Sequence, residues 1–122
     1  MSQMKFSGVF KVMLYRTVSD QELADIISRS GFHPGPPSFQ GKWFAEAPEH
    51  AAEWGRRLFH LGGNPFHVVE VEVPQSVANQ FFRLSNLDGV GAAEFVDVDQ
   101  LPLLNGTCRA IREVGVIPLG GP

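Results

Sequence analysis

The sequence predicts an α+β domain, on three observations. Strand-period and helix-period segments are mixed without regular alternation, no internal repeat appears, and 122 residues suffice for one hydrophobic core but not two. The chain is therefore read as one domain, residues 1–122.

Residues Val9 to Tyr15 are mostly apolar and β-prone, which predicts a first strand. Ser19-Asp20-Gln21-Glu22 follows as a capping box, Ser19 accepting from the Glu22 backbone while Glu22 reaches back. It opens a helix over Asp20 to Arg29, with Leu23, Ile26 and Ile27 inward and Gly31 as its stop. His33-Pro34-Gly35-Pro36-Pro37-Ser38 is loop, since prolines lack donors and restrict the residue before them. A strand ending at Trp43-Phe44-Ala45 comes next. A helix from Pro48 to Leu61 should bury Ala51, Trp54, Leu58 and Leu61, with Gly62-Gly63 closing it. Phe66 to Val73 alternates, Val69, Val71 and Val73 against Glu70 and Glu72, as a half-buried strand does. A short helix at Ser76 to Phe81, a small-residue loop at Asn86 to Ala93, a strand at Glu94 to Val98, a turn or short helix at Asp99 to Leu104 and a strand at Cys108 to Ile117 complete the order.

Composition excludes several classes. A net charge of -3 gives no broad basic face for nucleic acid. No apolar run approaches the ~20 residues that span a bilayer, and no secretory signal opens the chain, so a cytoplasmic protein, or one delivered into a target cell's cytoplasm, is expected. Cys108 is the sole cysteine, and His33, His50, His60 and His67 lack metal-ligand spacing, so no metal is expected. Gly89-x-Gly91 is half a dinucleotide fingerprint, but glutamate stands where its last glycine should and no helix follows.

Three places could carry chemistry. Arg16 follows the first strand and can offer its planar fork to phosphate or carboxylate; a surface arginine is more often solvated. Trp43 and Trp54, eleven residues apart across a strand-to-helix junction, are either core or a clamp for a flat ligand. Glu94 follows small residues that let a ligand approach, or is an ordinary strand-end glutamate.

In that order, Leu14-Tyr15-Arg16-Thr17, Gly41-Lys42-Trp43-Phe44-Ala45 and Glu94-Phe95-Val96-Asp97-Val98-Asp99 resemble the three motifs of the ADP-ribosyltransferase superfamily. Its fold is shared by poly(ADP-ribose) polymerases, diphtheria-type toxins and small bacterial effector domains. Trp43 and Trp54 match two tyrosines spaced alike in the polymerases. The resemblance implies a split β-sheet with short helices and NAD as substrate. It gives catalytic roles to Glu94, Arg16 and Trp43, and a binding site to Tyr15, Arg16, Thr17, Lys42, Trp43, Phe44 and Trp54. Arginine replaces the polymerase histidine, the Ser-Thr-Ser of the arginine class is absent, Ala51 replaces a serine, and Ala92 argues against an arginine acceptor. The resemblance implies transfer of ADP-ribose to a protein or nucleic acid acceptor by a bacterial toxin or effector, with an immunity protein as inhibitor. The alternatives are an NAD glycohydrolase and a non-catalytic NAD, ADP-ribose or protein-binding module.

Overall fold

Among the described residues six strands pair antiparallel throughout, in the order β4-β5-β2-β1-β3-β6. The computed structural model describes residues 10–36, 38–59 and 62–117. Along the chain run β1 (Lys11–Val18), α1 (Asp20–Arg29), β2 (Gly41–Ala45), α2 (Pro48–Phe59), β3 (Phe66–Pro74), α3 (Gln75–Ala78), β4 (Phe82–Leu87), β5 (Gly91–Asp97), a 3₁₀ turn (Val98–Gln100), α4 (Leu101–Thr107) and β6 (Arg109–Ile117). The fold class is α+β, as expected. Val9, His60 and Leu61 lie outside the described residues.

The ladder is uneven. β1 pairs with β3 from Lys11↔Pro74 to Val18↔His67, but with β2 only at Tyr15↔Ala45. The sheet is thus continuous but splays between β1 and β2.

Side chains alternate across a strand, so each face of the sheet has its own core. Leu14, Val18, Phe44, Val69, Val71, Val73 and Val96 point to one face and pack with Ile26 of α1 and Leu101 and Leu104 of α4. Phe32 meets Phe44 edge to face, with ring centres 5.1 Å apart. Asn105 pins that loop, accepting from the Phe32 N–H at 2.8 Å and donating to its carbonyl at 2.7 Å. Ala45, Val68 and Ala93 face the other side, where α2 covers them with Ala51, Ala52 and Trp54. Gly55 sets how closely α2 docks. A Cβ there would sit 2.2 Å from the Phe66 ring and 2.6 Å from Thr17 Oγ1.

Several elements depart from expectation. The sequence predicts no strand at β4 and a loop over 86–93; instead Asp88 (φ 54) and Gly89 (φ 74) make a tight turn closed by Val90 N–H to Leu87 C=O. Two successive positive φ values are what a type I′ hairpin turn needs, and Asp-Gly supplies them. The first helix ends on Ser30 in the left-handed region, Gly31 following it. Ile27 is 70% exposed, because α1 turns its Glu22–Ile26 stripe inward. Leu58 is 68% exposed because it sits at the end of α2, over a cavity rather than over a strand.

His67 ties three elements together. Its Nε2 lies 2.5 Å from Asp20 of α1 and its Nδ1 2.6 Å from Glu113 of β6. A neutral imidazole has one N–H, so satisfying both carboxylates requires the imidazolium. Burial of the ring lowers its pKa, but the two carboxylates outweigh this and hold it above the usual 6.5. The stabilisation is therefore complete below about pH 6.5 and lost as pH rises through the raised value. His67→Gln should remove this component of the Tm against pH curve. A mutant curve parallel to wild type from pH 6 upward would refute the clamp. Gly55→Ala should cost about 1–3 kcal/mol by overpacking Phe66, measured by urea unfolding.

Candidate functional site

Where β1 and β2 splay, charged side chains fill the gap. Arg16 Nη1 donates to the Trp43 carbonyl at 3.0 Å, across the interval the ladder leaves open. Its Nε and Nη2 donate to Glu22 at 2.7 and 3.0 Å, and Nη2 also donates to Ser38 at 3.1 Å. Lys42, only 3% exposed, donates to the same Glu22 at 3.3 Å. Ser19 caps the Glu22 N–H as expected, but the Glu22 carboxylate does not reach back. It serves the two cations instead, in bonds where both partners are charged. Burial raises the Glu22 pKa, yet Arg16 and Lys42 more than reverse this and hold it below its usual value. Burial and the Arg16 charge lower that of Lys42.

A cavity of about 650 Å³ opens beside this cluster, lined by Arg16, Thr17, Gly41, Trp43, Trp54 and, at its rim, Phe39 and Leu58. That volume suits a small-molecule ligand. Gly41 (φ 151) admits the sharp entry into β2, where a Cβ would strike the Val96 carbonyl at 2.5 Å. Trp43 is half-buried and rests on Phe95, ring centres 5.0 Å apart. Trp54 is 7% exposed and belongs to the core under α2, with more of Trp43 than of Trp54 left open. Trp54 is thus core, and both residues line the cavity. Two polar atoms in its lining residues, Thr17 Oγ1 and Trp54 Nε1, are buried without a hydrogen-bond partner among the described residues. Both atoms are closed off from the cavity itself, Thr17 Oγ1 lying under α2 against Gly55.

The remaining motif residues lie elsewhere. Phe44 is fully buried in the opposite core and does not line the cavity, because it stands one residue from Trp43 on the alternating strand. Tyr15 shares the tryptophans' face but not their cavity; burial and a hydrogen bond to Glu70 raise its pKa. Lys42 borders an adjoining cavity of about 510 Å³.

Glu94 is the largest displacement. It pairs with Phe44, while its neighbour Phe95 pairs with Trp43, so its carboxyl points to the face opposite the tryptophans. There it is 7% exposed, bordering a separate cavity of about 580 Å³ with Glu46, Arg83 and Phe81. Arg83 clamps Glu46 through two bonds of 2.6 and 2.9 Å. Burial, then the hydrogen bond and charge of Glu46, push the Glu94 pKa up to about 8, against a smaller opposing effect of Arg83. Glu46 goes down, chiefly by its Arg83 bond, so the pair holds one proton on Glu94 at neutral pH. Nor do small neighbours open Glu94 to a ligand: Gly91 lies in β5, and its missing side chain makes room for the His50 ring. Neither Glu46 nor Arg83 belongs to a motif; the Asp88-Gly89 dipeptide is the one local signal of the hairpin whose β4 carries Arg83 to Glu46.

Among the described residues no group of three His, Cys, Asp or Glu is placed to hold a metal, and no helix is long and apolar enough to cross a membrane. Burial raises the pKa of Cys108, which disfavours its thiolate. No family model, curated protein or solved structure matches the chain.

Two outcomes follow from the buried charges. Glu22→Ala leaves Arg16 and Lys42 without their carboxylate and should cost about 3 kcal/mol in urea unfolding. A change below about 1 kcal/mol would show that water replaces Glu22 readily. Because the Glu94 pKa is raised, its contribution is fully present below about pH 4.5 and lost as pH climbs through about 8. Glu94→Gln cannot ionise, so its Tm relative to wild type should improve steadily from pH 5 to pH 9. A pH-independent difference would contradict the raised value.

Proposed function

We propose that the protein is an NAD-dependent ADP-ribosyltransferase that binds NAD in the tryptophan-lined cavity. The observation that carries this is the cavity of about 650 Å³ that Trp43 and Trp54 line beside Arg16. The order of the three motifs along the chain supports the same reading.

The nicotinamide of NAD is a flat cation, and the faces of Trp43 and Trp54 suit it. The resemblance gives the carboxamide to the backbone of Thr17. The scissile bond joins this ring to ribose, and departure of nicotinamide leaves an oxocarbenium-like sugar. A carboxylate beside that cation stabilises it, and the motif assigns this task to Glu94. ADP-ribose then passes to a macromolecular acceptor, protein or nucleic acid. The exposed rim residues Phe39 and Leu58 give such a partner, or an immunity protein, an apolar edge to meet. A bacterial toxin or effector is the setting this implies.

One observation favours a second reading. Glu94 faces away from the tryptophans, which fits a module that binds NAD or ADP-ribose without turning it over. Nicotinamide release separates the two. The transferase reading expects release from NAD by wild type, reduced at least ~10²-fold in Glu94→Gln. Binding without release would leave the non-catalytic module. Equal release by both proteins would remove Glu94 from the reaction. Where release occurs, free ADP-ribose as the product would mark an NAD glycohydrolase; retention on a macromolecule marks a transferase. Trp43→Ala should weaken NAD about tenfold by calorimetry, the loss of one stacking ring. Unchanged affinity in the folded variant would exclude the cavity as the NAD site.

A further inference from the structure

We infer that Lys42, and not Arg16, is the anion-binding group of this site, taking the phosphates of the ligand; this rests on the nucleotide reading above. Arg16 is occupied. Each of its three guanidinium nitrogens already donates, to Glu22, the Trp43 carbonyl and Ser38, so it works as a brace across the splayed strands. Lys42 has three N–H donors and, among the described residues, one partner, Glu22 at 3.3 Å. A cation only 3% exposed with that single bond is under-satisfied for its burial.

Charge points the same way. Arg16 and Lys42 carry two positive charges against the single carboxylate of Glu22, a local excess of one in a place largely closed to water. An incoming phosphate would balance it. The cavity beside Lys42 shares Ser19, Glu22 and Pro36 with the tryptophan cavity, so an elongated ligand can reach from one to the other. His33 borders the Lys42 side, and its Nδ1 is buried without a partner among the described residues. The other charged groups facing this space are Asp25 and Arg29 of α1, which form an ion pair with each other at 3.5 Å. A flat ring at the tryptophans and phosphates at Lys42 describe a dinucleotide lying along the splay.

Calorimetry with two fragments tests this: ADP, which has phosphates without nicotinamide, and nicotinamide, which has no phosphate. Lys42→Gln should weaken ADP at least tenfold and change nicotinamide less than twofold. Inorganic pyrophosphate should compete with ADP on wild type. Lys42 is overturned if wild type does not bind ADP, if pyrophosphate does not compete, or if folded Lys42→Gln binds ADP as wild type does. Should Lys42→Gln not fold, wild type decides. ADP affinity should fall as pH rises toward 10.5, because burial and the Arg16 charge hold the lysine pKa below its usual value and the ammonium discharges before pH 10.5 is reached. A flat profile overturns the assignment. Lys42-dependent ADP binding with no nicotinamide binding would sink the NAD reading and leave the phosphate site standing.

Discussion

Everything distinctive in this fold depends on one carboxylate shared by two cations. β1 and β2 leave their ladder after Tyr15↔Ala45, and an open seam in a sheet exposes backbone groups that need partners. Arg16 closes it from the side, one nitrogen on the Trp43 carbonyl and two on Glu22, so a guanidinium does what paired strands would otherwise do. Glu22 can serve because Ser19 starts α1 three residues earlier and aims that turn at the seam. The same seam is what leaves room for a cavity between Thr17 and Trp43.

Alternation along each strand then divides the chemistry. One step along β2 moves from Trp43, over the cavity, to Phe44, in the opposite core; one step along β5 moves from Phe95, under Trp43, to Glu94, on the far face. A motif read as consecutive letters is therefore split between two environments of the sheet. Residues that share a site must be two apart on one strand, or meet where a strand ends. Arg16 and Lys42 both belong to the Phe44 face, yet they reach the rim of the splay because the strands have parted there.

Much of this order was legible. The capping serine, the Val69, Val71, Val73 alternation and the small residues of α2 are local signals, and each element formed where its period stood. Ile27 and Leu58 were not legible as exposed, because periodicity defines a stripe but not where its centre or its end will lie. Glu22 pulled the α1 stripe toward itself, and Leu58 ran past the sheet. The gathering of Arg16, Trp43 and Trp54 about one cavity followed the motif order; the turning away of Glu94 did not. Orientation depends on the β2–β5 register, a long-range quantity that no local pattern encodes.

The protonated state of Glu94 bears on how much its present position costs a reaction. With a pKa of about 8, ionising it at pH 7 costs only about 1.4 kcal/mol. That cost arises from burial and from Glu46, both properties of the pocket it now occupies rather than of the residue. Beside a cationic ribose the balance would reverse, since an opposite charge nearby favours the carboxylate. What separates Glu94 from such a role is therefore geometric more than electrostatic. Its backbone already neighbours the strand that carries Trp43, and its carboxyl lies on the wrong side of that strand. Turning a side chain through a paired strand requires breaking ladder bonds, and β4–β5 holds its own bulged register between Leu84 and Leu87, the least regular stretch of that ladder. If Glu94 acts on ribose, the β4–β5 hairpin is the part of the sheet that has to give.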